Sequence, residues 1–346
     1  ETWLVPIEGW AVDTFGPRPV IIFGAILVCI GWIMCSKASS LGVLYAAQVL
    51  TGAGAGAVYG TCSGNSLKWF PDKRGLAAGA TAAGFGGGAA ITVIPVANMI
   101  NTSGYEQAFF VFGIAQAIII TICALFMPRA KLPPGTKAIP RVISSKKNYN
   151  PTQIVREPLF WLIYICFVGV ASGGIMATAS FGPVSRDYGL DKIPVTCLGV
   201  TLPLLTMAMS IDNICNGATR PIMGYLSDRF GRENLMFVVF MGEAASLLGL
   251  VFWGRTPIGF MFFAAMTFAC WGEIFSLFPS MCADTFGSKF AAGNAGTLYT
   301  AKGTSSLIVP LAAGLAKGGN WNRTFILSAC IAATCSILAF VVLKPG

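Results

Sequence analysis

Residues 9–18 read GWAVDTFGPR and residues 224–233 read GYLSDRFGRE. Both carry G-x-x-x-D-x-F-G followed closely by an arginine, and they stand 215 positions apart. Each copy ends one apolar run and precedes another. A second echo accompanies them: FPDKRGLAAG (70–79) returns as FPSMCADTFGSKFAAG (278–293), with AAG displaced by 214. A chain that repeats itself at this distance is two parallel copies of one helical unit. The loops have a mechanical reading. Gly9, Gly16, Gly224 and Gly231 let helix ends approach one another. Asp13 and Asp228 are placed to pair with an arginine such as Arg18 or Arg232, or to sit against a helix N-terminus. A contact of that kind, made in one conformation and broken in another, is a latch. The plainer reading of either copy alone is a charged turn.

Composition places the units in a membrane. Of 346 residues, 55% are hydrophobic and 11% charged, and mean hydropathy is +0.71; soluble domains carry about 25% charged residues. Histidine is absent, which removes His-ligated metal sites and Ser-His-Asp catalysis. The eleven cysteines show no CxxC spacing and read as small apolar residues. No metal or cofactor is expected. The net charge of +9 falls in loops at the membrane edge, so no nucleic-acid partner is expected either. The chain opens ETWLVPIEGW without an initiator Met, and the expectation is that it starts inside a clipped helix, with one helix before it missing.

A bilayer core of about 30 Å needs about 20 apolar residues per helix. Ten full spans are expected, at 19–36, 42–64, 76–100, 107–127, 158–184, 194–225, 235–253, 257–280, 291–316 and 324–343, after a short apolar piece at 1–12. One alternating set of loops holds fifteen of the 23 Lys and Arg residues, seven of them in 128–157, and the other set holds six. The positive-inside rule makes the first set cytoplasmic. The expected organisation is a helical bundle over 1–127, a cytoplasmic linker over 128–157 and a second bundle over 158–346. The membrane is expected to be a bacterial inner membrane, and the protein a monomer.

The two remaining cations, Arg220 and Lys302, lie within spans. Each costs about 2.5–3.5 kcal/mol at a helix centre. Lys302 is roughly 16 Å into its span at 1.5 Å per residue, too deep to snorkel out. Arg220 precedes Pro221, which weakens the helix there. Asn213, Asn216 and Gly217 share a face with Arg220, as Tyr299, Ser305 and Ser306 do with Lys302. One reading is a pair of buried ion pairs, with Asp212, Glu243 and Glu273 as partners. The other is a central cavity in which both cations hold an anion. The glycine runs TGAGAG (51–56) and GFGGG (84–88) suit close helix approach and do not form a phosphate loop.

Parallel repeats joined by a cytoplasmic linker resemble the major facilitator superfamily. LKWFPDKRGLAAGATAAGFGGG (67–88), NGATRPIMGYLSDRFGRE (216–233), FACWGEIFSLFPS (268–280) and LYTAKGTSS (298–306) together resemble its oxalate–formate antiporter family over nearly the whole chain. The resemblance implies an all-α polytopic fold of two pseudo-symmetric bundles, without enzymatic activity. It implies substrate carboxylates bound by the arginine before Pro, Arg220, and by the lysine of the TAK triplet, Lys302. It also implies aromatic walls at Tyr59, Trp271, Phe275 and Tyr299, for which ordinary packing is the alternative. Phe275 stands where the family pattern has a tyrosine.

Two cations across a cavity suit a small dicarboxylate, since each carboxylate keeps a charge-assisted partner. The sequence departs from the oxalate-type pattern at Asp212 and Glu273. Either acid could carry a proton, or simply pair with a cation in one state; Glu1 and Glu8 on the clipped helix add further acids. Two activities therefore stand open: exchange of oxalate- or formate-type anions by alternating access, and proton-coupled symport of a monocarboxylate. An aspartyl intramembrane enzyme would need paired deep Asp residues, and only Asp212 qualifies. A receptor-like bundle would need neither matched cations nor doubled loops.

Overall fold

The computed structural model describes residues 1–128, 147–197, 199–287, 289–310, 314 and 321–342. Most of the expected linker, with Arg129, Lys131, Lys137, Arg141 and Lys146, lies outside the described residues, as do Lys317 and Lys344.

Helices dominate. They are α1 (Val5–Phe15), α2 (Pro17–Ser36), α3 (Leu41–Trp69), α4 (Arg74–Phe126), α5 (Pro151–Ile154), α6 (Pro158–Asp187), α7 (Leu204–Phe230), α8 (Arg232–Trp253), α9 (Pro257–Trp271), α10 (Ile274–Phe286), α11 (Ala291–Ser306) and α12 (Trp321–Val342). Starts and stops follow local chemistry. Proline occupies the first turn of α1, α2, α5, α6 and α9, where its missing N–H costs nothing. Ser40 and Thr256 cap α3 and α9 with their hydroxyls. Gly16 and Gly231, the last glycines of the two echoed loops, both take φ 90°. A side chain there would be strained, and the shared value shows the two turns to be built alike.

The spans expected at 76–100 and 107–127 are both present, run together as α4 and separated at Gly104 with φ 86° and ψ 164°. Three expectations need correction. The apolar piece at 1–12 becomes a helix only from Val5. The span expected at 257–280 is broken between Trp271 and Ile274. The span expected from 194 opens instead as an antiparallel hairpin, β1 (Pro194–Cys197) with β2 (Val200–Pro203), pairing Pro194 with Pro203 and Cys197 with Val200. β-Branched Val195, Thr196, Val200 and Thr201 favour extended backbone, and Gly199 supplies the turn at φ 82°.

Seven helical segments of the described residues are long and apolar enough to cross a membrane. Helices α7 and α11 fall outside that set, and they are the two that carry Arg220 and Lys302. The largest core cluster joins Phe160, Phe167, Phe240, Phe275, Phe278 and Tyr299. Phe167 and Phe278 stack at 4.4 Å with planes 6° apart. This packing fixes α10 and α11 against α6 and so sets the direction in which Phe275 and Tyr299 project.

Candidate functional site between α3, α4, α7, α10 and α11

The site is organised around the ring of Phe275. The Arg220 guanidinium carbon lies 4.8 Å from its centroid and the Lys302 ammonium 5.5 Å. Trp271 meets Phe275 edge-on at 5.5 Å, and Tyr299 lies 5.9 Å away. Tyr59 packs 5.4 Å from Tyr299 and 4.9 Å from Phe85. All six sequence-predicted contact residues, Arg220, Lys302, Tyr59, Trp271, Phe275 and Tyr299, are thus brought into one aromatic box.

Local structure explains how each arrives. The break between α9 and α10 turns Trp271 and Phe275 toward the same space. A Cβ on Gly272 would lie 3.1 Å from the Asn216 amide, so glycine lets the break sit against α7. Gly174 of α6 leaves room for the Trp271 indole, whose ring a Cβ there would overlap. Gly86, inside the GFGGG run, makes space for Arg220: a Cβ there would come 2.7 Å from the guanidinium carbon.

Arg220 is 3% exposed. It donates to the Ala82 carbonyl of α4 at 2.7 Å and to the Asn216 side-chain oxygen. Among the described residues no carboxylate forms an ion pair with it. Its Nε, the Tyr59 hydroxyl and the Trp271 Nε1 are buried without a hydrogen-bond partner. Buried polar groups are nearly always paired, so three orphaned N–H and O–H groups around one box form an environment for an acceptor-rich solute.

Lys302 is more open. Its side chain is 18% exposed and forms an ion pair at 3.2 Å with Glu1, itself 24% exposed. It also lies 3.4 Å from the Tyr299 hydroxyl. The expected stripe beside Lys302 is partly diverted: Ser305 and Ser306 both donate back to the Lys302 carbonyl, at 2.7 and 3.0 Å.

The acids are arranged differently from the ion-pair alternative. Asp212 is 1% exposed with neither oxygen hydrogen-bonded. Glu273 accepts from Ser276 at 3.2 Å through one oxygen and leaves the other without a partner. Glu243 is fully buried against Gly173 of α6, with both oxygens unpartnered. None of the three pairs with Lys302, whose acidic partner is Glu1. Sequence reading missed Glu1 and Phe85 as members of the box. Phe85 carried a signal, being the one aromatic in the GFGGG run; the Glu1–Lys302 contact joins residues 301 positions apart and has no local signature.

The echoed loops gather at one end of the molecule. The Asp228 carboxylate accepts the Gly75 and Leu76 amides at 2.9 and 3.0 Å. These are the first turn of α4, where a carboxylate is favoured by unpaired N–H groups and the helix dipole. Asp228 also pairs with Arg232 at 2.6 Å. Asp284 joins Arg232 at 3.0 Å to Arg74 at 2.7 Å, and Arg74 donates to the Ala283 carbonyl at 2.9 Å. Arg74, Asp228, Arg232 and Asp284 are all buried. Gly224 and Gly75 touch backbone to backbone, and Gly217 touches Gly87 further along. In the first copy Asp13 pairs with Lys68 and faces Gly293 near the start of α11, while Gly9 lies against the Ala292 carbonyl. Arg18 does not join this contact; it donates to the Met127 carbonyl at 2.9 Å. At this end the helices are closed. Beyond Ala82, the next buried residue of α4 is Ala108.

Helices meeting through glycine, two cations inside the expected spans and one aromatic box fit a membrane transporter rather than an enzyme. A profile described as Major Facilitator Superfamily matches residues 3–211 and 193–346. The chain belongs to that superfamily and, within it, to the oxalate–formate antiporter family. It is 34% identical over 345 residues to the oxalate:formate antiporter of Oxalobacter formigenes, covering 99% of this chain and 79% of the relative. It is 24% identical over 310 residues to the uncharacterized MFS-type transporter YhjX of Escherichia coli, covering 87% of this chain and 72% of the relative. Among solved structures, the proton:xylose symporter XylE superposes with TM-score 0.71 at 13% identity, over 98% of this chain and 83% of that one. The human organic anion transporter MFSD10 gives TM-score 0.70 at 13% identity, over 97% and 80%. At such identities the structural likeness concerns the fold.

Proposed function

We propose that this protein carries small carboxylates across a bacterial inner membrane by alternating access, exchanging one anion for another. The observation that carries the reading is the box around Phe275, with two cations on one ring and three orphaned buried donors beside them. A thin mono- or dicarboxylate fits it. One carboxylate takes the Arg220 guanidinium, Asn216 and the Tyr59 hydroxyl, the other takes Lys302, and the rings form flat walls. The likeness to a relative named for oxalate and formate supports the same chemistry.

The closed end supports the cycle. Asp228 seated on α4, and Asp284 shared by Arg74 and Arg232, hold the bundle of 1–127 to that of 158–346 at the end read as cytoplasmic. Rocking about the site breaks these contacts and exposes the box to the cytoplasm.

The test is counterflow in proteoliposomes with labelled oxalate and formate. Truncating one partner of a buried, hydrogen-bonded charge costs about 2–5 kcal/mol, so Arg220→Gln and Lys302→Gln should each lose at least about 20-fold in affinity. Normal exchange by both variants would overturn the site.

A further inference from the structure

Glu1 occupies the place on Lys302 that the preceding reading gives to a substrate carboxylate. Its two oxygens lie 3.3 and 3.2 Å from the ammonium, a bidentate approach within the same box. The pair joins α11 to the segment leading into α1, so it spans the two expected bundles. It is reachable, with both side chains partly exposed while Arg220 is not. Among the described residues, Lys302 and Tyr299 from α11, Tyr59 from α3 and Glu8 from α1 face Glu1. Lys302 is the side-chain cation among them. Glu8 is itself an acid and offers Glu1 no counter-ion.

We propose that Glu1 is an internal counter-carboxylate of Lys302, displaced by substrate and neutralised by a proton when displaced, so that one proton travels with each anion bound at Lys302. This deepens the carboxylate reading and rests on it. A carboxylate left in this aromatic box without its ammonium is a partly buried, unpaired charge, which is costly. The step balances. The Lys302 ammonium–Glu1 carboxylate pair plus one substrate carboxylate plus one proton gives the Lys302 ammonium–substrate pair plus the neutral Glu1 acid. Net charge in the box is unchanged.

Two measurements test this. In weakly buffered detergent solution with a pH dye, adding formate to the purified wild-type protein should take up about one proton per anion bound, as linkage requires. Anion binding without proton uptake overturns the proposal and leaves the carboxylate reading standing. In proteoliposomes, an inward proton gradient should speed wild-type uptake of labelled formate several-fold. Glu1→Gln should show no such acceleration of its own formate uptake. Equal acceleration in both proteins overturns the role of Glu1. If the wild type binds and exchanges no carboxylate, the underlying reading falls and this one with it. The dye measurement needs no variant, so misfolding of Glu1→Gln leaves the proposal exposed to disproof.

Discussion

Phe275 shows how one apolar side chain organises a polar site. It donates nothing, yet both cations lie within 5.5 Å of its ring. A cation over an aromatic face gains about 0.5–2 kcal/mol, which helps hold two like charges on one ring. Phe275→Leu removes both contacts and should weaken carboxylate binding by roughly 2- to 30-fold, read from the KM of counterflow. Phe275→Tyr keeps the ring and should stay near wild type; equal losses in the two variants would show the ring to be packing only. The cations themselves were legible, because a Lys and an Arg deep in apolar runs have few explanations. Their immediate surroundings were not. Spacing puts Asn216 on the face of Arg220, but nothing in the chain shows that Gly86, on another helix, clears the space its guanidinium fills.

At the scale of elements, the helices easiest to recognise are the ones that do least chemistry. Helices α2, α8 and α12 are mostly apolar and were read within a few residues. Helices α7 and α11 fall outside the set long and apolar enough to span, α11 because it runs for only 16 residues, yet both were legible as apolar runs between charged and turn residues. The hairpin at 194–203 was lost. Its residues are apolar, and hydropathy outweighed the alternation and the glycine turn that pointed to strands. The break between α9 and α10 had no clear breaker, since Gly272 is tolerated inside many helices. Its placement matters: the break sets Trp271 over Gly174 of α6. Gly174→Val should push the indole out of the box. The expected result is impaired exchange with the fold retained, checked by circular dichroism and by a change in tryptophan fluorescence. Unchanged fluorescence and transport would place Trp271 outside the working site.

For the whole molecule, the doubled loop was the most readable feature and its asymmetry the least. Both copies turn through a glycine at φ 90° and both bring an aspartate toward the start of a helix from the other half of the sequence. Only the second is embedded in a buried network. Asp228 is 4% exposed, whereas the Asp13 side chain in its pair with Lys68 is 22% exposed. Removing one partner of a buried ion pair costs about 3–5 kcal/mol, and an exposed pair contributes about 0–1. Asp228→Asn should therefore shift the population strongly toward opening at the loop end, and Asp13→Asn only weakly. Distances between spin labels at the loop ends of α4 and α7 would show it; equal shifts would mean that the two copies carry the closure alike.

The contact between α4 and α7 is main chain on main chain: Gly75 against Gly224, Gly79 against the Arg220 carbonyl, Gly87 against Gly217. In the proposed cycle, parting such a surface would uncover peptide oxygens instead of greasy side chains. Incoming water would find acceptors along the cleft, and a charged solute would leave it without crossing a dry stretch.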